Sequence, residues 1–214
     1  MRDNLKIAVI GGGSTYTPEL IEGLVSGLLP VREIALQDIA AEKLAVVGGL
    51  AARMAEAAGG GARIRCTADL AEALAGADAV ITQLRVGGLA ARAIDERVPL
   101  RFGTIGQETT GPGGFAKALR TIPVILEINR AMARYCPAAP LINFTNPSGL
   151  VTEALLRHGR GLCLGLCNFP LTLRMKAAEA LGVDAARVSL AYFGLNHLSW
   201  SRVLVDGEDR TAAL

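Results

Sequence analysis

The chain has 214 residues, of which 51% are hydrophobic and 20% charged, a balance typical of globular proteins and not of disordered ones. Lys and Arg number 22 against 20 Asp and Glu, so the net charge is +2, and no basic stripe with interleaved aromatic residues indicates a nucleic-acid partner. No segment approaches the roughly 20 apolar residues of a membrane span and residues 1–13 lack the pattern of an export signal, so we expect a cytoplasmic protein whose four Cys are reduced thiols.

Strand and helix patterns alternate along the chain. The first half gives predicted strands at 6–11, 33–38, 63–66 and 78–84, and predicted helices at 17–28, 40–58 and 69–77. We expect Thr17 to be the N-cap of the first helix, followed by Pro18 in its first turn. The second half gives predicted helices at 89–101, 114–135, 148–157 and 171–181, and predicted strands at 140–144, 162–167 and 188–194. The strands are continuous apolar runs separated by helices. We therefore predict an α/β fold, a Rossmann-type, doubly wound, mostly parallel sheet with helices on both faces.

The C-terminal residues follow a different pattern. Residues 201–205 predict a further strand and Asp206-Gly207 predicts a hairpin turn, but only the seven residues EDRTAAL follow that turn. We therefore expect the chain to stop inside a larger α+β region. The predicted organisation is an NAD-binding Rossmann-type domain at 1–195 and the truncated beginning of a C-terminal, substrate-covering region at 196–214.

The turn after the first strand has the sequence Gly11-Gly12-Gly13-Ser14-Thr15-Tyr16. Glycine lets a phosphate approach the main chain, and the N-terminus of the following helix presents free N–H groups to a pyrophosphate. The third glycine of the dinucleotide fingerprint is missing, but Asp38 ends the second strand, where a carboxylate binds the adenosine ribose and repels a 2′-phosphate. These residues predict a site for NAD rather than NADP. The alternative is a structural turn beside a solvated Asp38.

Cys167 and His197 each follow an apolar run, at points where we expect a strand of the parallel sheet to end. Ligands of open α/β sheets bind beyond the carboxyl ends of the strands. A thiol and an imidazole there could bind a metal and leave its other positions open to water or substrate, as in catalytic sites. Their spacing matches no closed zinc pattern, so a small apolar filler at 167 and a structural histidine at 197 remain alternatives.

Six sequence blocks, taken together and in order, resemble one enzyme family. They are IAVIGGGSTYTPEL (7–20), LRVGGLAARAIDE (84–96), GTIGQETTGPGGFAKALRTIPV (103–124), INFTNPSG (142–149), CNFP (167–170) and GLNH (194–197). The chain resembles glycoside hydrolase family 4, the NAD- and metal-dependent glycosidases, and within it the 6-phospho-β-glucosidases. The resemblance implies NAD and Mn²⁺ as cofactors, a phosphorylated disaccharide or β-glucoside as substrate, and a homodimer or homotetramer.

The resemblance also implies a mechanism. NAD⁺ takes a hydride from C3 of the sugar, and the resulting ketone acidifies the proton on C2. A base removes that proton, the aglycone leaves C1 by elimination, water adds, and NADH returns the hydride. Mn²⁺ binds the oxygens on C2 and C3 and stabilises the developing enolate.

Individual residues match functional positions of the family. Cys167 and His197 match its metal ligands, and Glu108 matches the carboxylate that raises the basicity of a catalytic Tyr. The matches for substrate binding are Arg92, Asn146 and Asn168. The matches for cofactor binding are Gly11, Gly13, Ser14, Thr15, Tyr16, Asp38, Arg85 and Asn143. Without the resemblance, Glu108 and Arg92 would pass equally well for surface residues.

Asn168 separates two branches of the family. The members that cleave α-linkages carry Asp after the Cys, as the acid for the leaving group, whereas Asn has no titratable proton to give. The sequence therefore favours a β-acting enzyme, with a turn-forming Asn as the alternative reading.

One departure from the family concerns the catalytic base, a Tyr that lies well beyond the GLNH motif. None of Tyr16, Tyr135 and Tyr192 matches it. We therefore expect this chain to bind NAD without turning over substrate alone. Three alternatives stay open: an α-acting member (an α-galactosidase or 6-phospho-α-glucosidase), a 2-hydroxy-acid dehydrogenase of the lactate/malate type, whose fold it shares, and a non-catalytic NAD-binding scaffold.

Overall fold

A computed structural model describes residues 4–59 and 61–214 of the chain. Its main sheet has six parallel strands, β1 (Leu5–Ile10), β2 (Val31–Gln37), β3 (Arg63–Thr67), β4 (Ala79–Thr82), β5 (Leu141–Asn143) and β6 (Cys163–Gly165). Their spatial order is β3-β2-β1-β4-β5-β6, which is the order of dinucleotide-binding α/β sheets. The predicted fold class is therefore confirmed.

The helices of the described residues are α1 (Thr17–Val25), α2 (Ala41–Ala57), α3 (Leu70–Leu74), α4 (Gly88–Leu100), α5 (Gly111–Tyr135), α6 (Ser148–His158) and α7 (Phe169–Leu181). The first helix differs from its prediction, because Tyr16 and not Thr17 holds the N-cap position and the helix ends at Val25. The reason is that the Thr17 side chain is fully buried and bonds to the preceding turn, so it is not free to cap the helix. No helix within 4–59 and 61–214 is long and apolar enough to cross a bilayer.

Alternate side chains of β1 enter two separate cores. Ala8 and Ile10 pack on the side of α3, α5 and α6, whereas Ile7 and Val9 pack on the side of α1 and α2. Because successive side chains of a strand point to opposite faces, coverage of both faces demands the continuous apolar run that the sequence shows. The strand order reverses between β1 and β4, so the loops after these two strands diverge and leave a crevice at the carboxyl edge of the sheet.

The three C-terminal strands form a second, antiparallel sheet, β7 (Val188–Leu195), β8 (Leu198–Val205) and β9 (Glu208–Asp209). We expected residues 188–194 to form a strand of the parallel sheet that ends before His197. This expectation is wrong, because β7 pairs with β8 in the antiparallel sheet. One face of this sheet packs its buried Val188, Val203 and Val205 on α7 and the other face is open. Strands with one buried and one exposed face are typical of antiparallel sheets.

Turn chemistry defines the two hairpins of the small sheet. Asp206 and Gly207 have φ of 51° and 89° and connect β8 to β9, as predicted, because tight hairpin turns need positive φ. Asn196 and His197 connect β7 to β8, and His197 has φ of 64°. The proposed domain boundary after residue 195 coincides with this second turn, and the division into two units stays a prediction.

Candidate active site at the carboxyl edge of the sheet

The glycine turn follows β1 and lies against the end of β2. The backbone N–H groups of Gly11 and Gly12 both donate to the carbonyl of Gln37, over 2.9 and 2.8 Å. Gly11 has φ of +90°, and a Cβ on Gly12 would lie 2.8 Å from Cβ of Leu36. A side chain at either position would therefore push the turn away from the sheet, and glycine keeps the backbone close.

Asp38 orders this turn through its carboxylate. Oδ2 accepts a hydrogen bond from the N–H of Gly13 and Oδ1 accepts one from the N–H of Ala40, each over 2.9 Å. A Cβ on Gly13 would stand 2.9 Å from Oδ2, so the bond needs a glycine there. A carboxylate has about four acceptor sites, and Asp38 therefore keeps capacity for a ribose hydroxyl while it anchors the turn.

Two residues that the sequence analysis missed hold the same turn from below. The hydroxyl of Thr17 donates to the carbonyl of Gly12 over 2.9 Å and accepts from Nε2 of Gln83 over 2.7 Å. Nε2 of Gln83 also contacts the carbonyl of Gly11 at 3.3 Å. Gln83 follows β4, so these bonds join the two sides of the crevice. In the sequence, the indication of this role is that Thr17 and Gln83 are polar residues close to the ends of apolar strands.

Of the remaining residues predicted to bind the cofactor, some are exposed and one is fully buried. Thr15 and Tyr16 are exposed, and the Tyr16 ring meets Phe144 edge-on with 6.1 Å between centroids. Ser14 accepts a hydrogen bond from the N–H of Tyr16 over 3.2 Å. Asn143, by contrast, has 0% exposure. Direct contact with a cofactor is thus open to the turn residues.

The amide of Asn143 is used entirely inside the protein. Its Oδ1 accepts from the hydroxyl of Thr82 (3.1 Å) and the N–H of Thr145 (3.2 Å), and its Nδ2 donates to the carbonyl of Thr145 and the hydroxyl of Thr152. Asn143 therefore ties the ends of β4 and β5 together, and this position gives it a supporting role beneath the crevice.

Asn146 lies beyond β5, before a cis peptide bond to Pro147. Its Oδ1 is 3.4 Å from the N–H of Ser148, at the start of α6. The hydroxyl of Ser148 donates to the carbonyl of Leu166 over 3.1 Å. The loop that carries Asn146 is thereby joined to the segment that leads into Cys167.

The structure brings Cys167 and His197 together although 30 residues separate them in sequence, with 3.4 Å between Sγ and Nε2. Cys167 follows β6 as predicted, but His197 reaches the pair from the β7–β8 turn and not from a parallel strand. The N–H of Phe169, in the first turn of α7, lies 3.5 Å from Sγ, and the Phe169 ring packs on the imidazole at 5.2 Å. Both side chains are therefore held in place from α7.

A thiolate and an imidazole at this separation can share one tetrahedral or octahedral ion, since metal–sulfur and metal–nitrogen bonds are about 2.3 and 2.1 Å long. Within the described part of the chain, no group of three or more His, Cys, Asp or Glu side chains could hold a metal. The pair would thus leave most coordination positions to other groups, which is the arrangement of catalytic and not of structural metal sites.

Glu108 sits among three cations near this pair. Its Oε2 accepts hydrogen bonds from Nη1 of Arg85 and, over 2.7 Å, from Nζ of Lys117. Its Oε1 lies 3.4 Å from Nη1 of Arg92. Burial raises the pKa of Glu108, but the hydrogen bonds and charges of Arg85 and Lys117 outweigh it and bring the pKa to about 2. Glu108 is therefore a fixed anion at neutral pH and not a proton carrier.

The charges of this cluster reach the metal pair. Burial lowers the pKa of His197, the charge of Glu108 raises it and the charge of Lys117 lowers it. An imidazole that is neutral at physiological pH is the form that binds metals. Glu108 and Lys117 therefore lie within electrostatic reach of His197. The resemblance had identified Glu108 and His197 as site residues but not Lys117.

Close backbone packing positions the loop that carries Glu108. A Cβ on Gly106 would lie 1.8 Å from the carbonyl oxygen of Glu96, and a Cβ on Gly113 would lie 2.5 Å from that of Asp95. Both contacts are made with α4. The glycines of the GQETTGPGG block thus allow the loop to lie directly on this helix, which brings Glu108 to Arg85 and Arg92.

The two other predicted substrate residues are accessible. Arg92 is half-exposed, and its Nε donates to Oε1 of Glu96 over 2.8 Å. That bond and the charges of Glu108 and Glu96 raise the pKa of Arg92 despite some burial. Asn168 occupies the N-cap position of α7 without a side-chain capping bond and is exposed. Its amide is therefore accessible, on the residue that directly follows Cys167.

Comparison with known proteins gives a family match and close relatives. The model of a family described as "Family 4 glycosyl hydrolase" matches residues 6–183. A probable 6-phospho-β-glucosidase of Bacillus subtilis (strain 168) is 54% identical over 213 residues, which cover 97% of this chain and 48% of that protein.

Two solved structures are similar over nearly the whole chain. The 6-phospho-β-glucosidase from Thermotoga maritima, with manganese, NAD⁺ and glucose-6-phosphate, has a TM-score of 0.86 at 40% identity and covers 96% of this chain and 51% of its own. A 6-phospho-α-glucosidase from gut microorganisms, in complex with NAD and Mn²⁺, has a TM-score of 0.87 at 33% identity, covering 97% of this chain and 49% of its own. The chain thus spans about half the length of the relatives it matches.

Proposed function

We propose, since this chain belongs to family 4 of the glycosyl hydrolases, that it is the nucleotide- and metal-binding part of an enzyme that hydrolyses 6-phospho-β-glucosides. The observation that carries the proposal is the Cys167–His197 pair, with 3.4 Å between Sγ and Nε2, at the edge where the glycine turn opens. A dinucleotide turn alone would fit any dehydrogenase, whereas a thiol–imidazole pair beside it fits metal-assisted chemistry.

The proposed binding roles follow from the geometry. The turn at 11–16 and the free N–H groups of α1 would hold the pyrophosphate of NAD, and Asp38 would hold the ribose. Cys167 and His197 would hold Mn²⁺. When bound, NAD⁺ supplies a hydride acceptor for C3 of the sugar and Mn²⁺ supplies a Lewis acid for the oxygens on C2 and C3. We place the NAD site within 1–195, with 196–214 as the start of the C-terminal region.

The chain's own side chains then set the charge around the sugar. Glu108, ionised and fixed by Arg85 and Lys117, can only accept hydrogen bonds, which suits a carboxylate that raises the basicity of a neighbouring base. Arg92 is accessible and carries a permanent fork of donors for hydroxyl or phosphate oxygens. Asn146 and Asn168 offer neutral amides on the loops that follow β5 and β6.

The exposed Asn168 favours β-linked over α-linked substrates. An amide cannot protonate a leaving group, so an α-acting enzyme with Asn at this position would lack its acid. The higher identity to a probable 6-phospho-β-glucosidase, 54%, than to a 6-phospho-α-glucosidase, 33%, points the same way. A 2-hydroxy-acid dehydrogenase would instead need a His–Asp pair for proton transfer, and His197 is paired with a thiol.

The proposal is tested by product release from the two anomers of nitrophenyl glucoside 6-phosphate. We expect the full-length protein to cleave the β-anomer only, to need both NAD⁺ and Mn²⁺, and to introduce solvent deuterium at C2 of the product in D₂O. Activity that survives a chelator, or cleavage without deuterium at C2, would contradict the elimination route. Binding of NAD by the full-length protein without any cleavage would favour the non-catalytic scaffold. A cytoplasmic location and assembly into a homodimer or homotetramer belong to the same proposal.

A further inference from the structure

A buried ammonium group lies beside Glu108 without an assigned role. The side chain of Lys117, in α5, is 3% exposed, and burial lowers its pKa while the hydrogen bond to Glu108 raises it. A buried charge is costly to desolvate unless it is paired and hydrogen-bonded. Lysine in such a position is therefore better explained by what it does to its partner than by its own contribution to stability.

The two oxygens of Glu108 differ because of Lys117. Oε2 accepts from both Nζ of Lys117 and Nη1 of Arg85, so both lone pairs of that oxygen are engaged. Among the described residues, the one contact of Oε1 is the 3.4 Å ion pair with Arg92, which is too long for a strong hydrogen bond. Oε1 is consequently the oxygen that can still accept a bond from another group.

The helix that delivers Lys117 is itself anchored. One turn further along α5, Nη2 of Arg120 binds Oδ2 of the buried Asp95 on α4 over 2.6 Å. Nε of Arg120 donates to the carbonyl of Val86 over 3.1 Å, next to Arg85. These bonds fix α5 against the loop that carries Arg85, so both cations approach Oε2 from elements that are locked together.

We propose that Lys117 is a positioning residue, whose ammonium holds Oε2 of Glu108 and thereby turns Oε1 toward the substrate as the acceptor oxygen. The inference rests on the proposed function insofar as Glu108 assists the reaction. The charged groups that face Glu108 are Arg85 after β4, Arg92 on α4, Lys117 on α5 and, within electrostatic reach, His197 in the β7–β8 turn. Of these, Lys117 is the one whose burial leaves it no access to a ligand.

Lys117→Met tests the proposal, because it keeps the length of the side chain and removes its charge. In the full-length protein we expect kcat to fall by about 10- to 100-fold with KM changed less than about threefold, as for a displaced catalytic contact. The matched control is Lys176→Met on the exposed face of α7, which should stay within about twofold of the parent. Ethylammonium added to a Lys117→Ala variant should restore part of kcat.

A double-mutant cycle with Glu108→Gln shows whether Lys117 acts through Glu108. The double variant should have the same kcat as Glu108→Gln alone. The proposal would be overturned if the two substitutions lowered kcat independently, so that their effects multiplied in the double variant. It would also be overturned if kcat of Lys117→Met stayed within twofold of the parent. If Lys117→Met does not fold, Lys117→Gln takes its place in the cycle, with a smaller expected fall in kcat.

A measurement without substrate separates this inference from the proposed function. In protein labelled with ¹³C at the Glu carboxyl groups, the carboxylate of Glu108 should titrate at a higher pH in Lys117→Met than in the parent. An unchanged titration would overturn the positioning role even in an active enzyme. A shifted titration, together with a full-length protein that cleaves no 6-phospho-β-glucoside, would support the positioning role and reject the proposed function.

Discussion

Glu108 shows how residue chemistry depends on partners that are distant in sequence. Its pKa is about 2 because the hydrogen bonds and charges of Arg85 and Lys117 outweigh the effect of burial. Arg85 lies 23 residues before it and Lys117 lies nine residues after it. The motif GQET could identify Glu108 through the resemblance, but only the packing of α5 on the loop reveals the cation that holds it.

The low pKa of Glu108 predicts a specific dependence of stability on pH. The folded-state pKa lies below the ordinary value of 4.5, so the carboxylate stabilises the fold above pH 4.5, and this contribution disappears as the pH falls toward 2. Its size is of the order of 3 kcal/mol, reduced by the desolvation of Lys117. Urea unfolding should therefore show the parent losing its advantage over Glu108→Gln progressively as the pH falls from 4.5 toward 2.

The control for this measurement is Glu127→Gln, at an exposed position of α5. Its stability should follow that of the parent at each pH within about 0.5 kcal/mol. Parallel curves for the parent and Glu108→Gln across the whole range would show that the carboxylate is not held as an anion in the fold.

Residue roles at the nucleotide turn were predictable in kind but not in detail. Asp38 was expected to bind a ribose, and the structure adds that it fastens Gly13. Thr17 was expected to cap α1, whereas it bonds back to Gly12. The hydroxyl of Thr17 also accepts a hydrogen bond from Gln83, which follows β4 and lies 66 residues further along the chain, and no local pattern contains that contact.

At the scale of elements, the loop that carries Glu108 depends on glycines for contact and not for flexibility. Gly106→Ala would place a Cβ 1.8 Å from the carbonyl of Glu96, so the loop must move off α4. We expect a loss of about 3 kcal/mol or more of unfolding free energy. Gly23→Ala, within α1 and with open space around it, should instead add about 0.5–1 kcal/mol.

Urea denaturation of the two alanine variants measures this difference directly. Equal effects of the two substitutions would mean that the loop accommodates a side chain at 106 without leaving α4, and the proposed reason for the glycine would be wrong.

The small antiparallel sheet shows where element prediction fails. The apolar run at 188–194 was assigned to the parallel sheet because the preceding runs belong to it. Its partner is β8, and the two strands bury one face on α7. A continuous run and an alternating one are hard to separate over seven residues, and pairing depends on the hairpin turn at Asn196-His197.

At the scale of the whole molecule, the sequence was sufficient for the fold class and the family. Alternating strand and helix patterns predicted the doubly wound sheet, and the observed parallel sheet confirms that fold class. The 3.4 Å contact between Cys167 and His197 could be expected from the resemblance but not from the periodicity, because it joins two different sheets. That contact distinguishes this chain from other proteins with a nucleotide-binding fold and makes it a candidate for metal-dependent chemistry.

The most direct test is paramagnetic relaxation of NAD⁺ protons by Mn²⁺ bound to the purified protein, measured by NMR. If the ion at Cys167 and His197 lies beside the nicotinamide, the nicotinamide protons should relax far faster than the adenine protons. Cys167→Ser and His197→Ala should abolish this difference, and His158→Ala, at the exposed end of α6, should preserve it. Equal relaxation of the two rings, or a difference that survives Cys167→Ser, would contradict a metal held by this pair.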